Sequence, residues 1–171
     1  GFNALNGNGT VKSSTGSGSL TPTGNSSVSG GTLTLQSGTL NYNGATATGV
    51  AGGGTFSQTG GTVNSGSYFA NGNGGSGTAN LNISGGSFIN TAELLNGFSS
   101  PGNLTVSGTA SLNLNFLSFG DSTARNVTIA LNGGTILMKL FNNRGSSPTT
   151  IYFNGTKIQG NSTQTGFLNT A

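Results

Sequence analysis

The fold is decided by the stretch Leu81-Asn82-Ile83-Ser84-Gly85-Gly86-Ser87-Phe88. Leu81 and Ile83 alternate with the polar Asn82, so the two apolar side chains lie on one face of a β-strand. The glycines that follow supply the positive φ of a tight turn, because glycine has no Cβ to oppose it. A second polar–apolar alternation begins after the turn. The stretch therefore predicts a strand, a tight turn and a second strand.

The same pattern returns along the chain at an interval of about 23 residues. It occurs at residues 33–40, in a degenerate form at 56–63, and again at 104–109, 129–136 and 151–156. A glycine directly before Thr or Ser marks each copy, and we call these the anchor glycines: Gly38, Gly61, Gly86, Gly108, Gly134 and Gly155. Successive anchors are 23, 25, 22, 26 and 21 residues apart. This spacing is too regular to be an accident of glycine-rich composition.

One strand–turn–strand unit followed by a variable loop corresponds to one coil of a β-helix, in which like residues of successive coils stack. We therefore predict an all-β chain that forms a single right-handed parallel β-helix, or β-solenoid, of about six to seven coils. Leu, Ile and Val should fill its interior, and Asn, Thr and Ser should bond along its outside or at its turns. A hairpin also fits the local pattern, so an antiparallel β-sandwich is the alternative.

The chain shows no composition break that would mark a boundary between two folded domains. Residues 1–28 are polar and low in complexity, and we interpret them as an N-terminal arm or an imperfect first coil. Residues 29–171 form the predicted solenoid repeat domain. Residues 49–54 and 71–78 are predicted loops, and residues 91–95 are the one short helix candidate.

The composition excludes most catalytic chemistry. Only 4% of the 171 residues are charged, against roughly 25% in an ordinary soluble domain. There is no His or Cys, and Glu93 and Asp121 are the only acids, so the usual general acids, bases and nucleophiles are missing. We predict no catalytic residue, no cofactor and no metal site, and hence a protein that is not an enzyme. An enzyme acting on polysaccharide is the least favoured alternative.

The charge pattern also bears on partners and location. Five basic residues are scattered along the chain for a net charge of +3, whereas nucleic-acid-binding proteins gather them on one face. No apolar run approaches the roughly 20 residues that span a bilayer. We therefore expect neither nucleic-acid binding nor membrane insertion. The chain shows no signal peptide, and its uncharged, cysteine-free surface is typical of mature exported material, so we expect an extracellular or cell-surface location in a bacterium.

Three local patterns are explained by composition or by structure, without a functional site. Residues 72–77 match G-x-G-x-x-G, but the helix that a dinucleotide site requires is not convincing, and 33 glycines produce such matches easily. Asp121 and Arg125 are the only acid and base close in sequence, and a loop salt bridge is favoured over a remnant of a polysaccharide lyase cleft. Asn-x-Ser/Thr sequons begin at seven asparagines, which chance alone explains in so Asn-, Ser- and Thr-rich a chain.

The aromatic residues are predicted to be mainly structural. Four phenylalanines fall near repeat strands and are expected in the core: Phe88, Phe116, Phe119 and Phe153. The three tyrosines could present their rings to sugars, although core or turn packing is favoured for each: Tyr42, Tyr68 and Tyr152.

The pattern at 81–88, with its variable loops, resembles the autotransporter-associated β-strand repeats, also called passenger-associated transport repeats. The ending Ile151-Tyr152-Phe153-Asn154-Gly155-Thr156, followed by Gly166-Phe167-Leu168, is similar to the way such arrays close. The resemblance covers roughly residues 29–168. It implies a β-helical exoprotein of bacteria, either secreted or at the cell surface, and it identifies no single activity.

We therefore expect a structural subunit or segment of an extracellular bacterial fibre that associates with further copies by β-strand addition or end-to-end stacking. An adhesin-type passenger segment that binds glycans or host and matrix surfaces is the alternative. Its candidate partners besides further copies of the chain are glycans, either bound or covalently attached. In the strand-addition form, residues 1–20 would connect neighbouring subunits; in its alternative they fold back on their own first coil. The candidate assembly residues are Phe2, Leu5, Val11, Phe167 and Leu168.

Overall fold

The computed structural model describes residues 27–42, 48–121 and 125–161, together with the backbone of four short strands at 4–5, 9–11, 19–20 and 168–169. Over this part of the chain the regular elements are strands, and there is no helix. The strands pair in parallel and stack as a β-solenoid. The predicted all-β solenoid is confirmed.

The strands of the described residues follow one another in chain order with short turns between them. They are β1 (Ala4–Leu5), β2 (Gly9–Val11), β3 (Ser19–Leu20), β4 (Ser27–Val28), β5 (Thr32–Leu35), β6 (Thr39–Tyr42), β7 (Thr48–Val50), β8 (Thr55–Gln58), β9 (Thr62–Ser65), β10 (Phe69–Asn71), β11 (Ala79–Ile83), β12 (Ser87–Asn96), β13 (Gly102–Val106), β14 (Ser111–Phe119), β15 (Val127–Leu131), β16 (Thr135–Asn143), β17 (Thr149–Phe153), β18 (Lys157–Gly160) and β19 (Leu168–Asn169).

These strands form two sheets. The first sheet has the order β17-β15-β13-β11-β8-β5-β2. The second has the order β1-β4-β7-β10-β12-β14-β16-β18, and β3, β6, β9 and β19 pair alongside it. The first half of β12 pairs with β9 and its second half with β10, so two separate segments of the early coils become one long strand in the later ones. Each coil thus contributes one segment to the first sheet and two to the second.

The anchor turns are corners of the coil. Leu81 of β11 pairs with Phe56 of β8 on one side and with Leu104 of β13 on the other. The strand after the turn, β12, lies in the other sheet. Because the strands flanking the turn pair with neighbouring coils and not with each other, the antiparallel sandwich is excluded.

The described solenoid makes about five turns, slightly fewer than the six to seven predicted. The six strands from β5 to β17 in the first sheet bound these turns. The strands that precede β4 in the described backbone are only two or three residues long. The right-handed sense of the coil stays a prediction.

The interior consists of apolar rows that run from coil to coil. One row in the first sheet contains Leu33, Phe56, Leu81, Leu104 and Ile129, and one in the second contains Leu40, Val63, Phe88, Leu112 and Ile136. All ten side chains are buried. Burial of such side chains is the main favourable term in folding, and it requires the strict inward–outward alternation seen in the sequence. The predicted Leu/Ile/Val interior is confirmed.

Asparagine pairs connect the coils on the outside, as predicted. Each pair joins equivalent positions on neighbouring coils: Asn64 Nδ2 donates to Asn41 Oδ1 at 2.9 Å, Asn103 Nδ2 to Asn80 Oδ1 at 3.1 Å, and Asn154 Nδ2 to Asn132 Oδ1 at 3.0 Å. A side-chain amide has both a donor and an acceptor, so it can repeat this bond along the axis.

A positive φ is common to the anchor glycines, and close stacking adds a second constraint at four of them. All six have a positive φ, between +58° and +94°. At Gly61 a Cβ would also lie 2.6 Å from the carbonyl oxygen of Gly38, the anchor of the preceding coil. At this turn, and at those of Gly86, Gly108 and Gly134, a side chain would therefore collide with backbone of the preceding coil, whereas a Cβ at Gly155 would meet no atom within 4 Å.

The helix prediction for residues 91–95 is wrong. These residues lie inside strand β12, which pairs with β10 and β14. Ala, Glu and Leu favour a helix in isolation, but intrinsic propensity is weak beside tertiary pairing. The coils on both sides present backbone partners that only an extended chain can use.

Two of the four phenylalanines predicted to lie in the core do so. Phe88 and Phe119 are buried, whereas Phe116 is only partly buried and Phe153 is 60% exposed. In β14 the alternation shifts by one residue at Asn115, so Phe116 faces outward and its neighbour Leu117 inward. Phe153 is exposed for a different reason: it lies on β17, the last strand of the first sheet among the described residues.

The described backbone of the N-terminal arm pairs with the same chain. β1 pairs with β4, β2 with β5, and β3 with β6, all in parallel. This pairing is the geometry of a further, imperfect coil.

Candidate assembly surface at the C-terminal coil

The last coil of the described residues presents unpaired strand edges. β17 pairs with β15 and is the end strand of the first sheet. In the second sheet, β18 and β19 both pair with β16. Within the described part of the chain, no strand covers the other side of these three. The edges of β17 and β18 offer backbone N–H and C=O groups that can template another strand.

The apolar interior is open at the same end. Ile151, Phe153 and Ile158 continue the inward rows, because they pair with Ile129, Leu131 and Ile136 of the coil below. Those three partners are fully buried, whereas Phe153 is 60% exposed and the two isoleucines are only partly buried. The open end is therefore a cross-section of the core, with its side chains in the positions that another coil would cover.

The open end also carries an outward-facing aromatic ring. Tyr152 pairs in register with Ala130, on the outer face of the sheet, and is 52% exposed. Among the described residues, Tyr152 and Phe153 are the large hydrophobic side chains with substantial exposure. They lie side by side on β17 but face opposite sides of it, so one belongs to the open core and the other to the flank.

Little charge protects this end. Between Thr149 and Asn161 the one charged side chain is that of Lys157, at the start of β18. Natural sheets commonly block exposed edges with several charged residues or prolines. The C-terminal coil has the hydrogen-bonding groups and the apolar surface of an association site, with one cation opposing it.

The assembly residues predicted from the sequence divide between the two ends of the solenoid. Leu5 and Val11 lie in β1 and β2, the terminal strands of the two sheets, and Leu168 lies in β19, paired with Phe141. Phe2 and Phe167 lie outside the described residues. The structure therefore does not bring the predicted set together within one chain. Sequence reasoning missed Ile151, Phe153 and Ile158, although their place in the last anchor repeat was a usable signal.

The predicted Asp121–Arg125 salt bridge is wrong. The ion pair that the described residues form is between Arg144 Nη1 and Glu93 Oε2, 3.1 Å apart. Arg144 Nη1 also donates to Tyr68 Oη at 3.3 Å. Arg144 and Glu93 are 51 residues apart, about two coils, so stacking brings together groups that proximity in sequence could not identify.

Tyr68 is the titratable group most affected by this cluster. Burial raises the pKa of Tyr68 to about 12; the Glu93 carboxylate also raises it, while the Arg144 guanidinium opposes the increase. The Tyr68 ring packs edge-on against Phe98, with ring centroids 5.7 Å apart. Tyr42 is fully buried and packs edge-on against Phe69 at 5.4 Å. Core or turn packing, favoured from the sequence, describes both tyrosines.

The G-x-G-x-x-G match at 72–77 is a structural turn. It lies between β10 and β11, so a strand follows it where a dinucleotide site needs a helix. The turn stacks on the loop of the preceding coil, because Gly52 N donates to Gly74 O at 2.7 Å and Gly53 N to Thr78 O at 3.1 Å. In the part of the chain that the structure describes, no group of three or more potential metal-binding acids, histidines or cysteines occurs.

Comparison with family models, with curated proteins and with solved structures finds no match to this chain. The described residues include no helix that is long and apolar enough to cross a membrane. The fold and the open C-terminal coil define the class: a parallel β-solenoid repeat protein. The resemblance to autotransporter-associated repeats stays a hypothesis.

Proposed function

We propose that the chain is a structural subunit or segment of an extracellular bacterial fibre and that it associates end to end. The observation that carries the proposal is the open last coil, where Phe153 occupies an interior position and is nevertheless 60% exposed. Apolar surface of this kind gains free energy when another coil covers it.

The opposite end of a second copy is the matching occupant. There, β1 and β2 are the terminal strands of the same two sheets whose other ends are β18 and β17. Since every coil repeats the parallel pairing, a second copy can continue both sheets without changing their geometry. The described backbone of residues 1–20 already pairs with β4, β5 and β6. This pairing favours end-to-end stacking over a free connector arm.

The extracellular location rests on composition. The chain has a net charge of +3, no cysteine and many Asn, Ser and Thr residues. Without cysteine it needs no reducing compartment, and its low charge gives little repulsion between copies. Its stability comes from backbone bonds and regular interior rows. These properties suit a passive, repetitive material.

The test compares two substitutions on one strand. Phe153→Asp places a charge in the open core, whereas Tyr152→Asp places the same charge on the outer face of β17. Sedimentation velocity over a range of protein concentrations, with electron microscopy, should show that the wild type and Tyr152→Asp form longer particles and that Phe153→Asp stays monomeric. Circular dichroism and thermal melting verify that both variants fold. A wild type that is monomeric at every concentration, or a Phe153→Asp variant that still assembles, contradicts the proposal.

A second candidate function is glycan binding by an adhesin-type segment. The specific observation in its favour is the 52% exposed ring of Tyr152, which faces outward on a flank without charged neighbours in β17. Exposed aromatic rings provide flat apolar faces with a polar tip. A glycan array probed with wild type and with Tyr152→Ala would show ring-dependent signals if this function holds, and no signal with either protein would exclude it.

A further inference from the structure

Five Asn-Gly dipeptides lie within the described residues, and each has the two residue types that spontaneous deamidation requires. In this reaction the backbone nitrogen of the glycine attacks the side-chain carbonyl carbon of the asparagine and closes a ring. Glycine permits the attack because it has no side chain to obstruct the ring. A hydrogen bond from the glycine N–H opposes the reaction, because it holds both the nitrogen and its proton. The dipeptides are Asn71-Gly72, Asn73-Gly74, Asn96-Gly97, Asn132-Gly133 and Asn154-Gly155.

Three of these dipeptides lie in stacked turns, where the glycine N–H donates to a carbonyl or hydroxyl oxygen of a neighbouring coil. The bonds run from Gly72 N to Val50 O at 2.8 Å, from Gly74 N to Ser99 Oγ at 2.6 Å and from Gly97 N to Asn71 O at 2.7 Å. The side chains of Asn71 and Asn96 are in addition fully buried. These three sites are therefore protected by the stack.

Asn132-Gly133 is protected in another way, by a hydroxyl group. Asn132 is exposed, but Thr156 of the next coil lies against the glycine. Thr156 Oγ1 accepts from Gly133 N at 3.0 Å and donates to Gly133 O at 2.7 Å. One hydroxyl thus holds both polar groups of Gly133. Exposure of the asparagine alone does not make this site reactive, because the attacking nitrogen is engaged by the coil above it.

Asn154-Gly155 is the equivalent dipeptide of the last described coil, and it lacks such a cover. Leu131 pairs with Phe153, so Asn154 follows Phe153 as Asn132 follows Leu131. Asn154 and Gly155 are both exposed, and Gly155 N donates to no atom of the described residues. A Cβ on Gly155 would meet no atom within 4 Å, so this turn has room to rotate. The Asn154 side chain donates one bond, to Asn132 Oδ1, in an exposed pair.

We propose that Asn154 is a site of spontaneous deamidation while the last coil is uncovered, and that a coil stacked on Gly155 suppresses the reaction. The Gly155 nitrogen loses its proton to solvent and bonds to Cγ of Asn154. The Cγ–Nδ2 bond breaks, and ammonia leaves with a proton from water. A water molecule then opens the succinimide ring at one of its two carbonyl groups, which gives aspartate or isoaspartate. Overall, one amide and one water become one carboxylate and one ammonium ion.

The consequence for assembly rests on the proposed end-to-end association. In a stacked pair, the first coil of a second copy would cover Gly155 as the last coil covers Gly133, so deamidation would act on chains left unassembled. The new carboxylate lies next to Phe153, and burying a charge beside apolar surface is costly. Isoaspartate also lengthens the backbone between β17 and β18 and shifts one edge strand against the other. The reaction therefore removes old, uncovered ends from assembly.

The experiment follows deamidation of the whole chain by peptide mass spectrometry, in dilute protein at mildly alkaline pH. Asn154 should react roughly fivefold or more faster than Asn132, because about one hydrogen bond separates the two sites. Thr156→Val is the matched variant, since it keeps the shape of the side chain and removes the hydroxyl from Gly133. It should raise the Asn132 rate by a similar factor. In Asn154→Gln the signal at this position should disappear, because glutamine closes the ring far more slowly.

Two results overturn the proposal: an Asn154 rate no higher than that of Asn132, or an Asn132 rate unchanged in a Thr156→Val variant that folds normally by circular dichroism. The same measurement in concentrated wild type separates this proposal from the fibre proposal. If the chain never associates, Asn154 reacts equally fast at every concentration, which contradicts the fibre and supports the reactive site. If longer particles form and Asn154 reacts in them as fast as in dilute protein, suppression by stacking is wrong.

Discussion

Asn71 Nδ2 donates a 2.6 Å hydrogen bond to Asn96 Oδ1 inside the solenoid, where both side chains are fully buried. The two residues occupy equivalent positions at the ends of β10 and β12. Asn71 Nδ2 also donates to Asn103 O, and Asn96 Nδ2 donates to Gly102 O and Thr128 O. The pair therefore fastens a corner of the second sheet to β13 and β15 of the first.

Asn96→Leu should destabilise the protein markedly. The substitution keeps the volume similar but removes the acceptor for Asn71 and the donor for two backbone carbonyls, and each buried group left unpaired costs about 1–3 kcal/mol. Asn154→Leu is the control, because Asn154 bonds Asn132 in an exposed pair and should change stability by about 0.5 kcal/mol or less. Urea unfolding followed by circular dichroism measures both. Equal urea midpoints for the two variants would show that the buried Asn71–Asn96 pair contributes no more to stability than the exposed Asn132–Asn154 pair.

Two anchor glycines should respond differently to the same substitution. Gly155→Ala meets no atom within 4 Å, so its cost is the left-handed backbone alone, about 1–2 kcal/mol. Gly61→Ala adds a collision with Gly38 of the preceding coil, and overpacking costs a further 1–3 kcal/mol or so. Thermal melting should therefore give a lower midpoint for Gly61→Ala. A reversed order would mean that coil stacking tolerates a Cβ at the anchors.

Alkaline pH should destabilise the fold through Tyr68. Its pKa is raised to about 12 in the folded chain, against about 10 when unfolded. Above pH 10 the unfolded state loses the proton and the folded state keeps it, so unfolding becomes progressively easier up to about pH 12. A pH titration of tyrosinate absorbance should show two late groups, Tyr68 and Tyr42, because burial raises the pKa of Tyr42 even further, and Tyr68→Phe should remove the earlier of the two.

Glu93→Gln provides the matched test of the cause. It removes the carboxylate that raises the Tyr68 pKa and leaves the Arg144 guanidinium, which lowers it. Tyr68 should then titrate at a lower pH than in the wild type, while Tyr42, whose pKa is raised by burial alone, should be unchanged. An unchanged titration would indicate that burial alone sets this pKa.

Salt should alter self-association only weakly. The chain carries a net charge of +3, and the residues of the open coil include Lys157 as their one charge, so there is little repulsion for ions to screen. Sedimentation velocity at low and high salt should give similar association constants. A collapse of association at high salt would mean that Arg125, Lys139, Arg144 and Lys157 contribute more than the apolar end.

The coil architecture could be predicted because the anchor glycines report it directly. Gly61 and the other anchor glycines need a positive φ, and most of them lie against the backbone of the preceding coil. Glycine therefore recurs once per coil, at a nearly constant interval in the sequence. The alternation of Leu81, Asn82 and Ile83 likewise records which side faces inward. Such local requirements can be recognised in the sequence because each one restricts its position to glycine, to an apolar residue or to a polar residue.

Features that depend on several coils at once were not predictable. The burial of Phe153 depends on a coil beyond it, which its own repeat cannot reveal. Glu93 and Arg144 meet only because the 51 residues of chain between them, about two coils, have a particular length. The bulge of β12 opposite Asn115 leaves no mark in composition. The buried pair had a faint signal, since Asn71-Gly72 and Asn96-Gly97 repeat one dipeptide at the coil interval.

The parallel register has a mechanical consequence. Strands lie across the long axis of the solenoid, and the bonds between coils run along it, with Thr39 paired to Thr62, 23 residues later. Tension on the two ends therefore acts on all the coils in series, and the coils separate from one another one at a time. Each released coil lengthens the chain by about 80 Å. Under stretching force such a chain yields in short, nearly equal steps and dissipates work at each one.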